Sequence, residues 1–339
     1  MYYFCTYFDQ HYLDKGLALY HSLTMHCSPF RLWILCMDEV TYRILTEMQL
    51  PQVQLIPLSD FERDDFQLLQ AKQNRSLIEY YFTCTPSLLL YIMDRDPEVD
   101  IVTYLDADLY FFSSLEPVYE ELGDGSILII GHRFPPVLKH QEIYGIYNVG
   151  MLSFRRDKNG LTCLHWWRER CLEWCYDRFE NDRFADQKYL DDWPERFAGV
   201  VVLQHKGAGL APWNLANYVY SVKNTKILIE GQPIIMYHFH GLKRMNRWIM
   251  DTNIIGYKIR LPEMVKQGLY IPYLMELNHL NHILDKYRGS NFENKSSIRE
   301  SIGIYISFKT KICDILKKGM YPLKFFQKCV NNDLILNKR

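Results

Sequence analysis

The sequence predicts an α/β fold: a mixed, mainly parallel sheet flanked by helices. Three observations carry that expectation. The first 57 residues alternate apolar strand-like runs with helical runs. This βαβαβ rhythm requires crossover connections and therefore parallel pairing. Further apolar runs recur downstream and end in polar clusters, as strands of such a sheet do where ligands bind. The composition is that of an ordered chain, 48% hydrophobic and 23% charged over 339 residues. That length can bury a substantial core.

The elements follow in order. Tyr2 to Tyr7 is the first expected strand, with a polar loop at Asp9-Gln10 after it. Leu13 to Met25 reads as a helix, its apolar positions at Leu17, Leu19, Tyr20 and Leu23. Phe30–Cys36 and Val53–Pro57 are the next strands, with a helix over Val40–Met48 between them. Ser76 to Met93 is helical in pattern, and Pro86 is expected to start or bend a turn there. Strands are expected over Asp100–Tyr104, Ser126–Gly131, Tyr147–Phe154, Val200–Leu203 and Ile234–Phe239. A Trp-rich amphipathic helix is expected over Leu161–Arg178. After Tyr287 the character changes to polar and basic, so a catalytic domain over 1–288 and a basic, helical C-terminal extension over 289–339 are expected.

Charge and cysteines bound the function classes. The net charge is −1, which excludes general nucleic-acid binding by electrostatics. The charge is uneven: residues 289–339 hold ten Lys/Arg against four Asp/Glu, leaving the rest of the chain acidic. A basic segment interspersed with apolar residues can lie on an anionic membrane surface; a packed helix with a solvated basic face is the equal alternative. Nine cysteines without a CxxC pair fit neither a disulfide framework nor a zinc site. The expected location is the cytoplasm, with peripheral contact at the inner face of the membrane through the tail. The amino terminus has neither the basic nor the long apolar region of a signal peptide.

Five segments carry candidate chemistry. In TYLDADLYFF, residues 103–112, a hydrophobic strand delivers Asp106 and Asp108 with Ala107 between them. Two carboxylates one residue apart can approach one hard cation and hold it against a diphosphate. Alone, such a triplet more often marks a solvated loop; the apolar runs on both sides favour a site. In MYHFHGLKR, residues 236–244, another apolar run ends in His238 and His240, then Gly241 and Lys243. A neutral imidazole can be a third ligand, and residues at i and i+2 share a strand face. Lys243 can reach a phosphate oxygen. In YNVGMLSF, residues 147–154, Asn148 offers a donor and an acceptor to sugar hydroxyls. In RFADQKYLDDWP, residues 183–194, Asp186-Gln187 can contact a sugar or its anomeric carbon, or can be ordinary helix-terminal polar residues. For the loop GAGLAPWN, residues 207–214, a structural turn with a packed Trp213 is slightly preferred over an acceptor groove.

Taken together and in order, these segments resemble the GT-A glycosyltransferases, most closely the retaining, family-8-like group that uses nucleotide-diphosphate sugars. The resemblance covers about residues 1–250. It implies a GT-A type, Rossmann-like domain. It also implies manganese or magnesium on Asp106 and Asp108, with His238 as third ligand and His240 as the alternative. Thr6 and Asp9 would line the nucleotide pocket, Asn148 and Asp186 would hold the sugar, and Gln187 would sit beside the anomeric centre. Asp186 would be the side chain for any protein nucleophile. Lys243 stands one residue early against the family spacing. The helix before the acid triplet reads EYYFTCTPSL and lacks the family's donor-touching Arg, for which Arg75 is a substitute. The implied partners are a nucleotide-sugar donor, by default a UDP-sugar, and a glycan or lipid-linked acceptor. The rival readings are a sugar nucleotidyltransferase, a sugar-nucleotide hydrolase, and a non-catalytic sugar-nucleotide-binding protein.

Overall fold

The computed structural model describes residues 1–224, 226–244, 249–288 and 334–336. The chain divides into two compact units, Met1–His238 and Phe239–Arg339.

The first unit begins with β1 (Tyr2–Phe8), α1 (Leu13–His26), β2 (Phe30–Cys36), α2 (Glu39–Met48) and β3 (Val53–Pro57). Here β1 pairs parallel with β2, and β2 with β3, as the alternating pattern requires. Then come α3 (Leu58–Glu62), α4 (Phe66–Lys72), α5 (Leu77–Arg95), β4 (Ile101–Leu105), β5 (Leu109–Phe111), α6 (Glu116–Leu122), β6 (Ile127–Gly131) and β7 (Tyr147–Arg155). The unit continues through α7 (Lys158–Glu173), α8 (Trp193–Arg196), β8 (Val200–Val202), β9 (Tyr220–Lys223), β10 (Lys226–Ile229), β11 (Gln232–Pro233) and β12 (Met236–His238). Among the described residues the main sheet has seven strands, ordered β3-β2-β1-β4-β7-β6-β8. It is mainly parallel; β7 runs antiparallel to both β4 and β6. The chain leaves β1 on one side toward β2 and β3, then returns on the other side as β4. The switch point of this topology therefore lies between the carboxyl ends of β1 and β4, where such sheets open a crevice.

Local chemistry explains most boundaries. Asp38 caps α2 by accepting from the Thr41 N–H, and Ser76 with Glu79 forms a capping box at the start of α5. Pro86 lies inside α5 and neither starts nor ends it, because every residue from Thr83 to Leu90 is buried and packing outweighs one lost backbone bond. The Trp-rich helix begins earlier than its apolar pattern indicates, since Asp157 caps it through the Gly160 N–H. It ends at Glu173, where Trp174 turns extended and Tyr189 donates to the Trp174 carbonyl at 2.8 Å. The expected strand over Ile234–Phe239 shrinks to Met236–His238, because a turn follows and Gly241 adopts φ 73°.

Behind the sheet, Trp167 and Trp193 are fully buried and meet edge to face at 5.4 Å, with Phe154 stacked on Trp167 at 6.1 Å. The seven described cysteines are buried free thiols. Among the described residues no helix is long and apolar enough to cross a membrane.

The second unit contains β13 (Lys243–Arg244), β14 (Ile249–Asp251), α9 (Glu263–Val265), α10 (Ile271–Arg288) and β15 (Leu334–Leu336). Within it, Phe239 stacks on Tyr273 with ring centres 3.8 Å apart. The expected boundary at 288 falls inside this unit, and nearly all of the basic extension lies outside the described residues. Where a helical tail was expected, Leu334–Leu336 instead form a strand antiparallel to β14, whose backbone groups these residues pair with.

Replacing Trp167 with Ala is expected to lower unfolding free energy by about 3–5 kcal/mol, the usual cost of emptying a buried aromatic site. Urea unfolding followed by fluorescence and circular dichroism measures it.

Candidate active site

The site is built from the ends of strands. β4 ends at Leu105, and the chain turns through Asp106, Ala107 and Asp108 before β5 begins. Two backbone bonds fix that turn: the Asp106 N–H donates to the Gly150 carbonyl at 2.8 Å, and the Leu109 N–H donates to the Asp106 carbonyl at 3.1 Å. β12 pairs antiparallel with β5 and places His238 opposite Leu109. A histidine 130 positions along the chain is thereby brought next to the acid pair. Its Nε2 lies 3.0 Å from Asp108 Oδ1 and 3.5 Å from Asp106 Oδ2. One ligand atom from each of the three residues falls within 4.8 Å of the other two. Two carboxylates and one imidazole at this spacing could hold a divalent cation.

The surrounding groups orient these ligands. Tyr104 donates its hydroxyl to Asp106 Oδ1 at 2.8 Å. The Lys15 ammonium stands 3.6 Å from Asp108 Oδ2. Asn148, the second residue of β7, accepts from the Gly150 N–H at 2.8 Å, and its amide nitrogen meets His132 Nε2 at 3.4 Å. Trp213 packs edge-on against both His132 and His238, at 5.2 and 5.5 Å, so the preferred packing reading of that residue holds and its partner is a site histidine.

Asp186 is 4% exposed. It accepts from Thr85 Oγ1 at 3.1 Å, and Thr85 in turn lies 3.2 Å from the Tyr7 hydroxyl. Its backbone carbonyl is held by the Trp167 indole N–H at 2.9 Å. Burial, and then the Asp106 charge, push the Asp186 carboxyl up to about 7. Burial likewise raises Asp106, sunk among protein atoms although a third of its side chain stays open to solvent. Burial opposes a charged His238, yet Asp108 and then Asp106 outweigh it and raise its pKa.

The structure gathers some predicted residues and separates others. Asp106, Asp108 and His238 come together, with Ala107 buried in the turn between the acids. Thr6 is fully buried within β1, and Asp9 follows that strand, accepting from the Tyr81 hydroxyl at 3.2 Å. Gln187 donates to the Tyr144 carbonyl at 2.8 Å. Arg75 lies 4.0 Å over the Tyr176 ring and donates to the Leu172 carbonyl. His240 and Lys243 belong to the second unit, and both are exposed. The shared-face argument for the two histidines does not hold, because the strand stops at His238. Lys15, Tyr104, Thr85 and His132 were not singled out from the sequence. Only Lys15 leaves a signal there, as a charged residue directly before the buried run Gly16–Tyr20.

No protein-family model matches the chain. Over 248 residues it is 35% identical to the uncharacterized protein YfnF of Bacillus subtilis strain 168, covering 71% of this chain and 81% of YfnF. Over 279 residues it is 30% identical to the uncharacterized protein YfnD of the same strain, covering 81% of this chain and 88% of YfnD. The chain belongs to the family of YfnF and YfnD. Among solved structures it is similar to the galactosyltransferase LgtC, solved in complex with donor and acceptor sugar analogs. The TM-score is 0.54 at 16% identity, covering 85% of this chain and 99% of LgtC. This likeness establishes the GT-A glycosyltransferase fold for this YfnF and YfnD relative.

Two predictions follow from the geometry. A Cβ added to Gly150 would meet Asn148 Oδ1 at 2.5 Å and His238 Nδ1 at 3.0 Å. Gly150→Ala is therefore expected to weaken manganese binding by about 10–100-fold, as loss of ligand orientation does, read by electron paramagnetic resonance titration. The second concerns pH. The folded Asp186 pKa lies above the ordinary 3.8, so the native state holds its proton longer than the unfolded chain. The Asp186 contribution to stability falls as pH rises from about 4 to about 7 and is flat outside that window. Asp186→Asn should remove this slope, measured as the difference between the two proteins' melting temperatures across pH 4–8.

Proposed function

We propose that the chain is a metal-dependent glycosyltransferase that moves a sugar from a nucleotide-diphosphate donor to a glycan or lipid-linked glycan. The observation that carries the reading is the cluster of Asp106, Asp108 and His238 donor atoms within 4.8 Å at the switch point of a GT-A sheet. A divalent ion held there supplies positive charge against the diphosphate leaving group. The preference for manganese, a UDP-sugar and retention of configuration rests on the family-8-like motif order.

The chain's own residues divide the remaining work. Tyr104 and the Gly150 carbonyl hold Asp106 in its turn. Asn148 keeps one oxygen lone pair and one amide hydrogen beyond its bonds to Gly150 and His132, and these are assigned to sugar hydroxyls. Asp186 presents a carboxyl that ionises near neutral pH, with one oxygen pinned by Thr85. That carboxylate is assigned to the donor sugar, with Gln187 beside it. Thr6 and Asp9 are assigned to the nucleotide, and Lys243 to a phosphate. The membrane role of the basic extension belongs to the same reading, with the acceptor as the lipid-bound partner.

Incubation with manganese and a panel of nucleotide sugars should release free nucleoside diphosphate with one donor, and that donor should raise the melting temperature. Asp106→Ala and Asp108→Ala should each lower the release by more than the ~10–100-fold that an outer-shell change costs. Release that persists undiminished in both variants would overturn the reading.

A further inference from the structure

Lys15 is the third residue of α1, on the turn that follows β1 at the switch point. Its position is unusual for a lysine. Only 9% of the residue is exposed, and lysine is seldom buried unless paired. The ammonium stands 3.6 Å from Asp108 Oδ2, beyond ordinary hydrogen-bond distance, and lies beside Tyr12, whose ring centre is 4.0 Å away and with whose side chain it hydrogen-bonds. A tight structural ion pair would close that gap. An ammonium also carries three donors, more than Tyr12 and one distant carboxylate oxygen use.

Charge counting points the same way. The two carboxylates of Asp106 and Asp108 balance one divalent cation, and His238 can ligate as a neutral imidazole. A diphosphate arriving at that cation adds negative charge with no counterpart among the three ligands. The second-unit Lys243 is off the family spacing. Lys15 stands within a few ångströms of the ligand Asp108 and is held there by burial.

We infer that Lys15 binds the diphosphate of the donor: its ammonium, held between Asp108 and the Tyr12 ring, contacts a phosphate oxygen beside the metal position. The same charge that attracts the diphosphate opposes the cation. Lys15 therefore weakens binding of the metal alone while it strengthens binding of the diphosphate. This inference rests on the glycosyltransferase reading, since it needs a cation at Asp106, Asp108 and His238.

The opposed signs make the test. The full chain is titrated first with manganese alone, then, saturated with manganese, with inorganic pyrophosphate, which has no base or sugar to confuse the readout. Lys15→Gln should bind manganese several-fold more tightly and pyrophosphate about tenfold more weakly, the scale of one charged hydrogen bond. Lys15→Arg keeps the charge and should recover most of the pyrophosphate affinity. Circular dichroism and melting curves establish that both variants are folded. A Lys15→Gln protein with tighter manganese binding and unchanged pyrophosphate binding would overturn the inference, leaving Lys15 as a structural counterion of Asp108. If Lys15→Gln is unfolded, the Lys15→Arg protein decides: affinity within about threefold of wild type supports a phosphate contact made by charge, and loss of manganese and pyrophosphate binding together refutes it. Wild-type protein that binds manganese no better than Asp108→Asn would overturn the metal-site reading itself, a distinct outcome.

Discussion

The short ladder between Leu109–Phe111 and Met236–His238 is the contact on which the site depends. It joins the strand that follows the acid pair to a strand more than a hundred residues later. Its register places His238 opposite Leu109, the residue directly after Asp108. A slip of one residue would turn His238 to the other face and leave two carboxylates facing each other without a third ligand. The ladder is itself tied down. The His238 N–H donates to the Leu210 carbonyl at 2.8 Å, and Trp213, from the same loop, packs against the His238 ring. Gly209 and Trp213 of the loop over residues 207–214 also line the cavity that Asn148, Gly150 and His238 line.

Around that ladder the protein concentrates ionisable groups in little solvent. Asp108, Asp186, His238 and Lys15 are all buried, with Asp106 between them still partly open. Burial alone would drive each toward its neutral form. The arrangement offsets this by alternating signs: Lys15 and His238 flank Asp108, while Tyr104 donates to Asp106. Burial, and then the Asp106 charge, push the Asp186 carboxyl up to about 7.

The sheet supplies the frame that makes this possible. β1 and β4 are neighbours and parallel, so the turns after both open on one edge. Asp9 and α1 come from one turn and the acid pair from the other. Asn148 reaches the same edge because β7 runs antiparallel to β4, which places the beginning of β7 beside the end of β4. One antiparallel strand in a parallel sheet thereby adds a residue from its amino end to a crevice otherwise built from carboxyl ends.

Much of this was legible in the sequence. The alternation of the first 57 residues determined the parallel start of the sheet, because hydrophobic period and turn chemistry are local properties. The acid pair was legible as two carboxylates at the end of an apolar run, and motif order singled out His238 and Asp186. Other features were not legible, each for a physical reason. Pro86 continues its helix because buried neighbours outweigh one missing bond. The second histidine of the pair leaves the strand because the chain enters a turn at His240, continued by Gly241 at φ 73°. Lys15 gave no motif, since its meaning comes from Asp108, 93 positions away, and from the Tyr12 ring beside it. Sequence determined which elements form and which residues carry charge. Only the tertiary structure decided which charges meet, because strand order and register, not chain distance, set the few ångströms over which an imidazole, two carboxylates and an ammonium interact.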